Sequence, residues 1–462
     1  MSHSDDEDGM SGAQLRVQFV TEHERFRVTD TSIAVPAELG RTGLSQIINH
    51  LLALPEVVPF DFLIREKQAL VRSTLRRHLD DLQLSSEAVL VLEYAPALQQ
   101  PDLSAESEWP DWIAAVDARL EAEPGCPVVA CGAYDGSLQL SRLVKSAAGP
   151  EGGSGGVQVE LIDRIQAHRG AVKGVRQFQS EQGAKYVATV GKDGLAHIFQ
   201  TVYSARGDDG LQKLEDTRVA TCQGHVGSVE CVDAVELGEF ALMGTGGWDH
   251  AVCLWKVPLA GGGAEESEAR PAKSRRTGKA GAQERAALVK QEAPAALLSG
   301  HRDCVSAVCW ESRSAPATLF SGSWDHSLRA WDVTRESCVM ELVGNKVVTG
   351  LDHNESRRVL ASAHADNMVR IWDSRTTGDS VAKLGLKSHK AWVAAVRWSP
   401  TNENLLVSAS HDRTLKLWDV RSTVPLYTLS QHTAKVLAVD WTADASSIVS
   451  GGADSRLRAF AM

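Results

Sequence analysis

The sequence contains no apolar run approaching the ~20 residues that a membrane-spanning helix needs. It has no Gly-x-x-x-x-Gly-Lys-Ser/Thr loop to cradle a phosphate and no Gly-x-Ser-x-Gly elbow to present a nucleophile. No other catalytic constellation stands out, so no catalytic residue is assigned and binding is the expected mode of action. Its eight cysteines have neither disulfide-framework nor zinc spacing. Cys126 and Cys131, like Cys304 and Cys309, stand five apart with no His pair at ligand distance. Such cysteines read as reduced, buried small hydrophobes, which favours a cytosolic or nuclear protein without metal or cofactor of its own. Basic excess is lacking too. A net charge of −11 argues against wrapping nucleic acid by bulk electrostatics, though a local basic patch stays open. The acidic run Asp5-Asp6-Glu7-Asp8 is the opposite of a cationic signal peptide, and residues 1–13 read as a solvated, disordered tail.

What the 462 residues do have is repetition. In Ser323-Trp324-Asp325-His326-Ser327-Leu328-Arg329-Ala330-Trp331-Asp332 an Asp sits in a polar turn, and a Trp follows six residues later. The figure recurs from Asp249 to Trp255, Asp366 to Trp372 and Asp412 to Trp418. Weaker copies run from Asp193 to Phe199, from Asp454 to Phe460, and from Asp135 to Ser141. Ahead of most stands a His: His168, His225, His301, His389 and His432 precede their turn Asp by 22 to 25 residues. A figure repeated at this period marks a repeat architecture, in which units of four short strands bury their faces only by stacking.

The double spacing resembles the WD-repeat family, over roughly residues 107–462. Seven Asp figures then imply a seven-bladed β-propeller. The resemblance implies a hydrogen-bonded network in each blade, built from the His, the turn Asp, a strand Ser or Thr, and the Trp. His225, Asp249 and Trp255 match it, as do His301, Asp325 and Trp331, and His389, Asp412 and Trp418. These residues are therefore read as structural rather than as metal ligands or acid/base pairs. The blade around Asp366 has Gly344-Asn345-Lys346 where the His should stand, so its network is expected to be incomplete. The sequence stops just after the strand containing Phe460, leaving the last blade a strand short, and the segment from Trp109 to Val116 is expected to fill the gap, because open sheet edges are avoided.

Residues 14–95 form a separate unit. Leu15, Val17 and Phe19 alternate with polar residues as a half-buried strand does, and a second strand is expected over Arg25 to Val28. Leu44, Ile47, Ile48, Leu51 and Leu52 make one apolar helical stripe, starting near Thr42 and stopping before Pro55. Phe60 to Ile64 restarts strand-type sequence, a short amphipathic piece covers Leu75 to Leu82, and Val89-Leu90-Val91-Leu92 reads as a last strand. Ubiquitin-like (β-grasp) α+β domains have this order. Glu93-Tyr94-Ala95-Pro96 replaces a terminal Gly-Gly, so conjugation is not expected. A polar linker over 96–106 leads to the repeats. Two insertions interrupt them: a Gly-rich loop at 144–156, and residues 258–295, which are poor in apolar side chains and read as disordered. Lys273, Arg275, Arg276 and Lys279 in the second insertion suit a nuclear localisation signal, an RNA-phosphate contact or a plain solvated linker.

The stretches Gly43 to Leu52, Pro59 to Ile64, Leu84-Ser85-Ser86-Glu87 and Leu92-Glu93-Tyr94 resemble the N-terminal domain of the WD-repeat protein twelve family. That family comprises ribosome-biogenesis factors of the PeBoW complex; the notchless family has a similar first domain and a longer propeller. The resemblance implies a nucleolar and nucleoplasmic scaffold for maturation of the large (60S) subunit and its 5.8S and 28S/25S rRNA. It implies as partners the block-of-proliferation protein, pescadillo and pre-60S particles. It also implies that midasin, an AAA ATPase, grips the ubiquitin-like domain at a metal-ion-dependent adhesion site. Glu87 matches the position of the acidic ligand, whose carboxylate would complete the octahedral oxygen shell of a Mg²⁺ held by the partner. A different class of function, a substrate adaptor in ubiquitin–proteasome turnover, is compatible with a ubiquitin-like domain joined to a propeller, as is a histone-tail or signalling scaffold. The residues of any propeller–propeller contact are not legible in the sequence.

Overall fold

The computed structural model describes residues 13–54, 56–145, 157–201, 217–259, 289–375 and 382–462. The acidic run at 5–8, most of the Gly-rich loop, and the core of the 258–295 insertion with Lys273, Arg275, Arg276 and Lys279 lie outside the described residues. The chain divides after Gln100 into two compact units.

In the first unit, β1 (Gln14–Val20), β2 (Ile33–Pro36), β3 (Phe60–Ile64), β4 (Ala69–Leu70) and β5 (Leu90–Pro96) make one mixed sheet in the order β2-β1-β5-β3-β4. The first and last strands run parallel at its centre, and the other pairs are antiparallel. Helix α1 (Arg41–Leu52) lays Leu44 and Ile48, both fully buried, on Phe60, Phe62 and Leu92. Ile47 and Leu52 pack at the edge of that core, while Leu51 faces solvent. The buried Ser45 hydroxyl donates to the Phe60 carbonyl at 3.1 Å or accepts from its N–H at 3.0 Å, which pins helix to strand. Helix α2 (Leu75–Leu82) starts at Thr74, whose side chain accepts from the Arg77 N–H. This is a small α+β sandwich of β-grasp type.

The second strand is not at Arg25 to Val28. Glu24–Phe26 is a single 3₁₀ turn, and the strand is Ile33–Pro36. The alternation of Phe26 and Val28 marks a different role: both side chains tuck under the core. The Tyr94 hydroxyl donates to the Phe26 carbonyl and accepts the Val28 N–H at 3.2 Å. Tertiary anchoring by one buried Tyr has replaced ladder pairing here.

The second unit is a ring of seven four-stranded antiparallel blades, one of them with an added fifth strand. Their innermost strands are Ile113–Glu123, Val172–Gln179, Val229–Leu237, Val305–Trp310, Val348–Asn354, Val393–Trp398 and Val436–Trp441. Each begins with a β-branched residue, and in several blades that side chain occupies a place open only because the neighbour offers no Cβ. A Cβ on Gly322 would meet Val348 at 2.6 Å, and one on Gly451 would meet Ile113 at 2.5 Å. Those close approaches join one blade to the next around the ring, with the buried faces interlocked.

Blade seven supplies three strands of its own, and β6 (Asp102–Glu108) supplies the fourth, antiparallel to Arg456–Ala461. The closing strand is therefore in the stretch expected to be a linker, not at Trp109 to Val116, whose latter part opens the inner strand of blade one. The physical reason lies in burial. Ile113, Val116 and Ala118 are buried on a strand covered on both sides, as an inner position demands. Polar side chains dominate β6, which suits an outer edge. Glu106 receives Arg456 at 2.7 Å and the buried Arg458 at 2.8 Å across this seam. The third blade is interrupted between its strands Val252–Pro258 and Ala296–Leu298. Before completing that blade the chain adds Val289–Gln291 in parallel to Arg218–Gln223, as a fifth strand on blade two.

Glu106→Ala removes a carboxylate shared by two arginines and leaves Arg458 short of a partner in a buried place. A loss of about 1–3 kcal/mol in unfolding free energy is expected. Hydrogen exchange should accelerate first in Asp102–Glu108 and Arg456–Ala461, and uniform exchange across all blades would contradict a local clasp.

Candidate functional site

In the three fully matched blades the residues picked out by spacing lie together. His301 Nδ1 is 2.9 Å from Asp325 Oδ2, and its Nε2 is 2.7 Å from Ser321 Oγ. Trp331 Nε1 donates to the same hydroxyl at 2.8 Å. His389, Asp412, Ser408 and Trp418 repeat this at 2.9, 2.7 and 2.8 Å. His225, Asp249, Thr245 and Trp255 do so at 2.7, 2.7 and 2.8 Å. The donor arithmetic has a consistent neutral solution. The indole N–H fills the hydroxyl oxygen, the hydroxyl proton goes to His Nε2, and His Nδ1–H is left for the carboxylate. The turn Asp also accepts a backbone N–H from the residue after the His, as Arg302 donates to Asp325 at 2.9 Å. Burial pushes the Asp325 and Asp412 carboxyls up, but the hydrogen bonds from His, backbone and Ser327 or Thr414 outweigh it and hold both well below the usual range.

The other blades fill the same places with different residues. In blade five the network is complete in an unexpected way. Trp372 Nε1 donates to Ser362 Oγ at 2.7 Å, and His364, two residues along the same strand, meets that hydroxyl at 2.7 Å. Residues two apart on a strand share a face, so a His inside the strand replaces the one missing from the loop. Asp366 is held instead by both guanidinium nitrogens of Arg370, at 2.6 and 3.0 Å. In blade seven His432 joins Asp454 and Ser450, with Phe460 in the aromatic place and Arg458 added beside Asp454. Blade two keeps His168, Asp193 and Thr189, and stacks His197 on His168 at 4.7 Å between ring centres. Blade one has no His here; Arg164 holds Asp135 at 2.6 Å. These groups join the strands and loops of their blades.

A second polar system, not singled out by spacing, runs along the inner strands. Asp233 accepts the Trp310 N–H of the next blade at 2.9 Å, Asp352 the Trp398 N–H at 2.8 Å, and Asp440 the Ala118 N–H at 3.2 Å. Arg119 lies between Asp352 and Asp440, at 3.2 Å from each, and Arg176 between Asp117 and Asp233, at 3.0 and 2.7 Å. The sequence trace is an Asp at the fifth position of four inner strands, in Val232-Asp233, Leu351-Asp352, Val439-Asp440 and Val116-Asp117.

Glu87 lies in the turn between α2 and β5, exposed, with its backbone N–H on Ser85 Oγ at 3.2 Å. Among the described residues no cluster of His, Cys, Asp or Glu is arranged to hold a metal ion, and no helix is long and apolar enough to cross a membrane.

The geometry is that of a WD40 β-propeller joined to a small α+β domain, and the comparisons agree with both halves. A family model described as the NLE (NUC135) domain matches residues 15–79, and the model described as WD domain, G-beta repeat matches 216–256, 293–332, 336–373, 379–419 and 423–460. The propeller of Doa1 superposes with a TM-score of 0.53 over 79% of this chain and 98% of that one, at 16% identity, a likeness of fold alone. The chain belongs to the WDR12 family. It is 38% identical to the "Ribosome biogenesis protein WDR12 homolog" of Chlamydomonas reinhardtii, over 97% of both chains. It is 34% identical to the homolog of Oryza sativa subsp. japonica over 96% of this chain and 95% of that one, and 33% identical to that of Ixodes scapularis over 97% and 98%. The repeat matches begin at 216, so blade one and most of blade two lie outside them.

Ser321→Ala strands the buried Trp331 indole N–H and His301 Nε2 together, and a loss of about 1–3 kcal/mol in chemical denaturation is expected, whereas Ser321→Thr should retain most of the stability. The networks also set a pH response. Burial lowers His364 from 6.5 to about 4 and His197 to about 3, and lowers His389 and His432 too. Unfolded histidines bind protons that the folded ones refuse, so stability is full above the unfolded value of 6.5 and falls as pH drops towards about 4. The depressed aspartates add their loss only below 3.8. Unfolding temperature should therefore decline between pH 7 and pH 5, and a flat profile there would contradict neutral buried histidines.

Proposed function

We propose that this chain is a ribosome biogenesis factor, a non-enzymatic scaffold in maturation of the large subunit and its 5.8S and 28S/25S rRNA. The observation that carries the reading is the end-to-end similarity to proteins named for ribosome biogenesis, covering the α+β domain and the propeller in the same order. On this reading the propeller engages the block-of-proliferation protein, and with pescadillo the three make a PeBoW-type complex on pre-60S particles in the nucleolus and nucleoplasm. The fully matched His, Asp and Trp residues maintain the frame, and recognition is left to surfaces.

The ubiquitin-like domain is the handle by which midasin releases the factor. Its ligand is Glu87, an exposed carboxylate on a short turn whose two flanking elements are fixed by the domain core. Such a group reaches a metal on another protein at little ordering cost, because the loop is already held. A carboxylate entering an octahedral Mg²⁺ shell must also have the right length, since Mg²⁺ demands near-ideal geometry.

Tagged protein recovered from nuclear extract should bring down the block-of-proliferation protein and pescadillo and sediment with large-subunit precursors; recovery with proteasome instead would support the adaptor class. Glu87→Ala and Glu87→Asp should each weaken Mg²⁺-dependent binding to the midasin adhesion domain by tenfold or more, with the α+β domain still folded by circular dichroism. Unchanged affinity in a direct assay with a loaded Mg²⁺ site would rule out Glu87 as the ligand.

A further inference from the structure

Each blade brings two loops together at the face where its inner strand begins. The residue before the turn Asp donates its N–H to the carbonyl of the residue before the inner strand. The bond runs from Tyr134 to Trp112, Lys192 to Ala171, Trp248 to Ser228, Trp324 to Cys304, Ala365 to Val347, His411 to Trp392 and Ala453 to Lys435, at 2.8–3.2 Å. Fourteen side chains thus sit at set positions around the mouth of the channel, seven pairs from seven blades. Their identities are not random. Blade one gives Trp112 and Tyr134, with ring centres 5.5 Å apart; blades three and four give Trp248 and Trp324 at 5.1 Å; blade six gives Trp392 and His411, stacked at 6.1 Å. Trp112, Trp248 and Trp392 are 46–47% exposed, far more than core aromatics. Blades two and seven put Lys192 and Lys435 in the same ring of positions, between the aromatic ones.

Cationic side chains stand beside these rings. Arg169, Arg302 and Lys390 follow network histidines, and Arg413 follows a turn Asp. With Lys192 and Lys435 they are exposed and make no ion pair among the described residues. The acids nearby already accept hydrogen bonds. Turn aspartates hold His and backbone N–H groups, and Asp111 and Asp303 accept the N–H of the next residue at 2.8 and 2.7 Å. Glu230, the carboxylate among the described residues that line the channel, takes the Trp248 indole N–H at 2.9 Å, Ser228 Oγ at 2.7 Å and Lys173 at 3.5 Å. The channel cavity, about 310 Å³, is lined by these rings and by small Ala, Gly and Val residues of the inner strands.

Exposed flat rings interleaved with unpaired cations are what a single-stranded polyanion with aromatic faces needs: bases stack on any π-face, and phosphates take the Lys and Arg heads. We propose that this face of the propeller binds single-stranded RNA, with bases on the Trp112/Tyr134, Trp248/Trp324 and Trp392/His411 platforms and phosphates on the surrounding lysines and arginines. The chain's net charge of −11 does not oppose this, because screening confines the relevant field to about 10 Å. The inference stands on the geometry alone and does not depend on the biogenesis reading.

The test uses the full chain and a fluorescein-labelled single-stranded RNA of mixed sequence, about 15 nucleotides long, followed by anisotropy at 50 and 200 mM salt. Binding that weakens with salt, with quenching of Trp fluorescence, is expected. Trp248→Ala and Trp392→Ala should each weaken it on the order of tenfold. Lys192→Glu with Lys435→Glu should weaken it and flatten the salt slope. The exposure of these side chains leaves the unfolding temperature nearly unchanged, and that measurement separates lost binding from lost fold. The proposal is overturned by no binding at 50 mM salt, by Trp variants that bind as the parent does, by equal affinity for a duplex of the same length, or by an acidic polypeptide that binds this face while the RNA does not.

Discussion

Ring closure is the constraint from which the rest follows. A blade of four short strands is apolar on both faces, and each face is covered only by the next blade. Six blades in a row would leave two bare faces and two sheet edges. The seventh meets the first through Ile113 seated against Gly451, through Asp440 accepting the Ala118 N–H, and through β6 paired to Arg456–Ala461. Three kinds of interaction therefore act at one seam: close packing, a buried charge-assisted hydrogen bond and a strand ladder. Arg119 carries the charge balance across that seam, because it reaches Asp440 of blade seven and Asp352 of blade five at once. A buried arginine between two carboxylates is costly to desolvate and tolerable only with this geometry. It also fixes which blade may stand next to which.

Inside the blades the requirement is chemical rather than positional. A buried hydroxyl, an indole N–H, an imidazole and a carboxylate must all find partners. Where the loop His is missing, His364 reaches the same hydroxyl from within a strand. Where the Trp is missing, Phe460 or Phe199 removes the donor altogether, so no group is stranded. Arg370 and Arg164 take over a turn Asp where the loop His is absent, and Arg458 joins His432 on Asp454.

That explains what was legible in the sequence and what was not. The spacing of His301, Asp325 and Trp331 is set by strand length and turn geometry, both local, so the repeat and the number of blades could be read directly. The helix stripe at Leu44 and Ile48 was equally local. Three features were not. The alternation at Phe26 and Val28 was read as a strand because a side chain buried under a core and one on a ladder leave the same pattern; only Tyr94, sixty-eight residues beyond Phe26, decides between them. Strand β6 looked like linker because an outer edge strand carries polar side chains. The inner Asp–Arg system was invisible because its partners lie in other blades, as Arg119 and Asp352 do.

The channel-mouth aromatics escaped for a further reason. Trp324 stands inside the repeated figure, just before its turn aspartate, and Trp248 holds the same place one blade earlier. Although Trp248 donates its indole N–H to Glu230 at 2.9 Å, the repeat requires no particular side chain at the position before the turn Asp. Its backbone N–H makes the bond to the neighbouring loop, and Lys192, Ala365, His411 and Ala453 make it as well as Trp does. A site whose backbone is fixed seven times over and whose side chain is unconstrained by the core can carry any residue without cost to the fold. Large aromatics left half exposed there lose hydrophobic stabilisation that burial would have supplied. Their presence at three of the seven blades, as Tyr134, Trp248 and Trp324, against small, basic or imidazole residues at the others, is therefore not required by folding, and the available explanation is contact with something outside the chain.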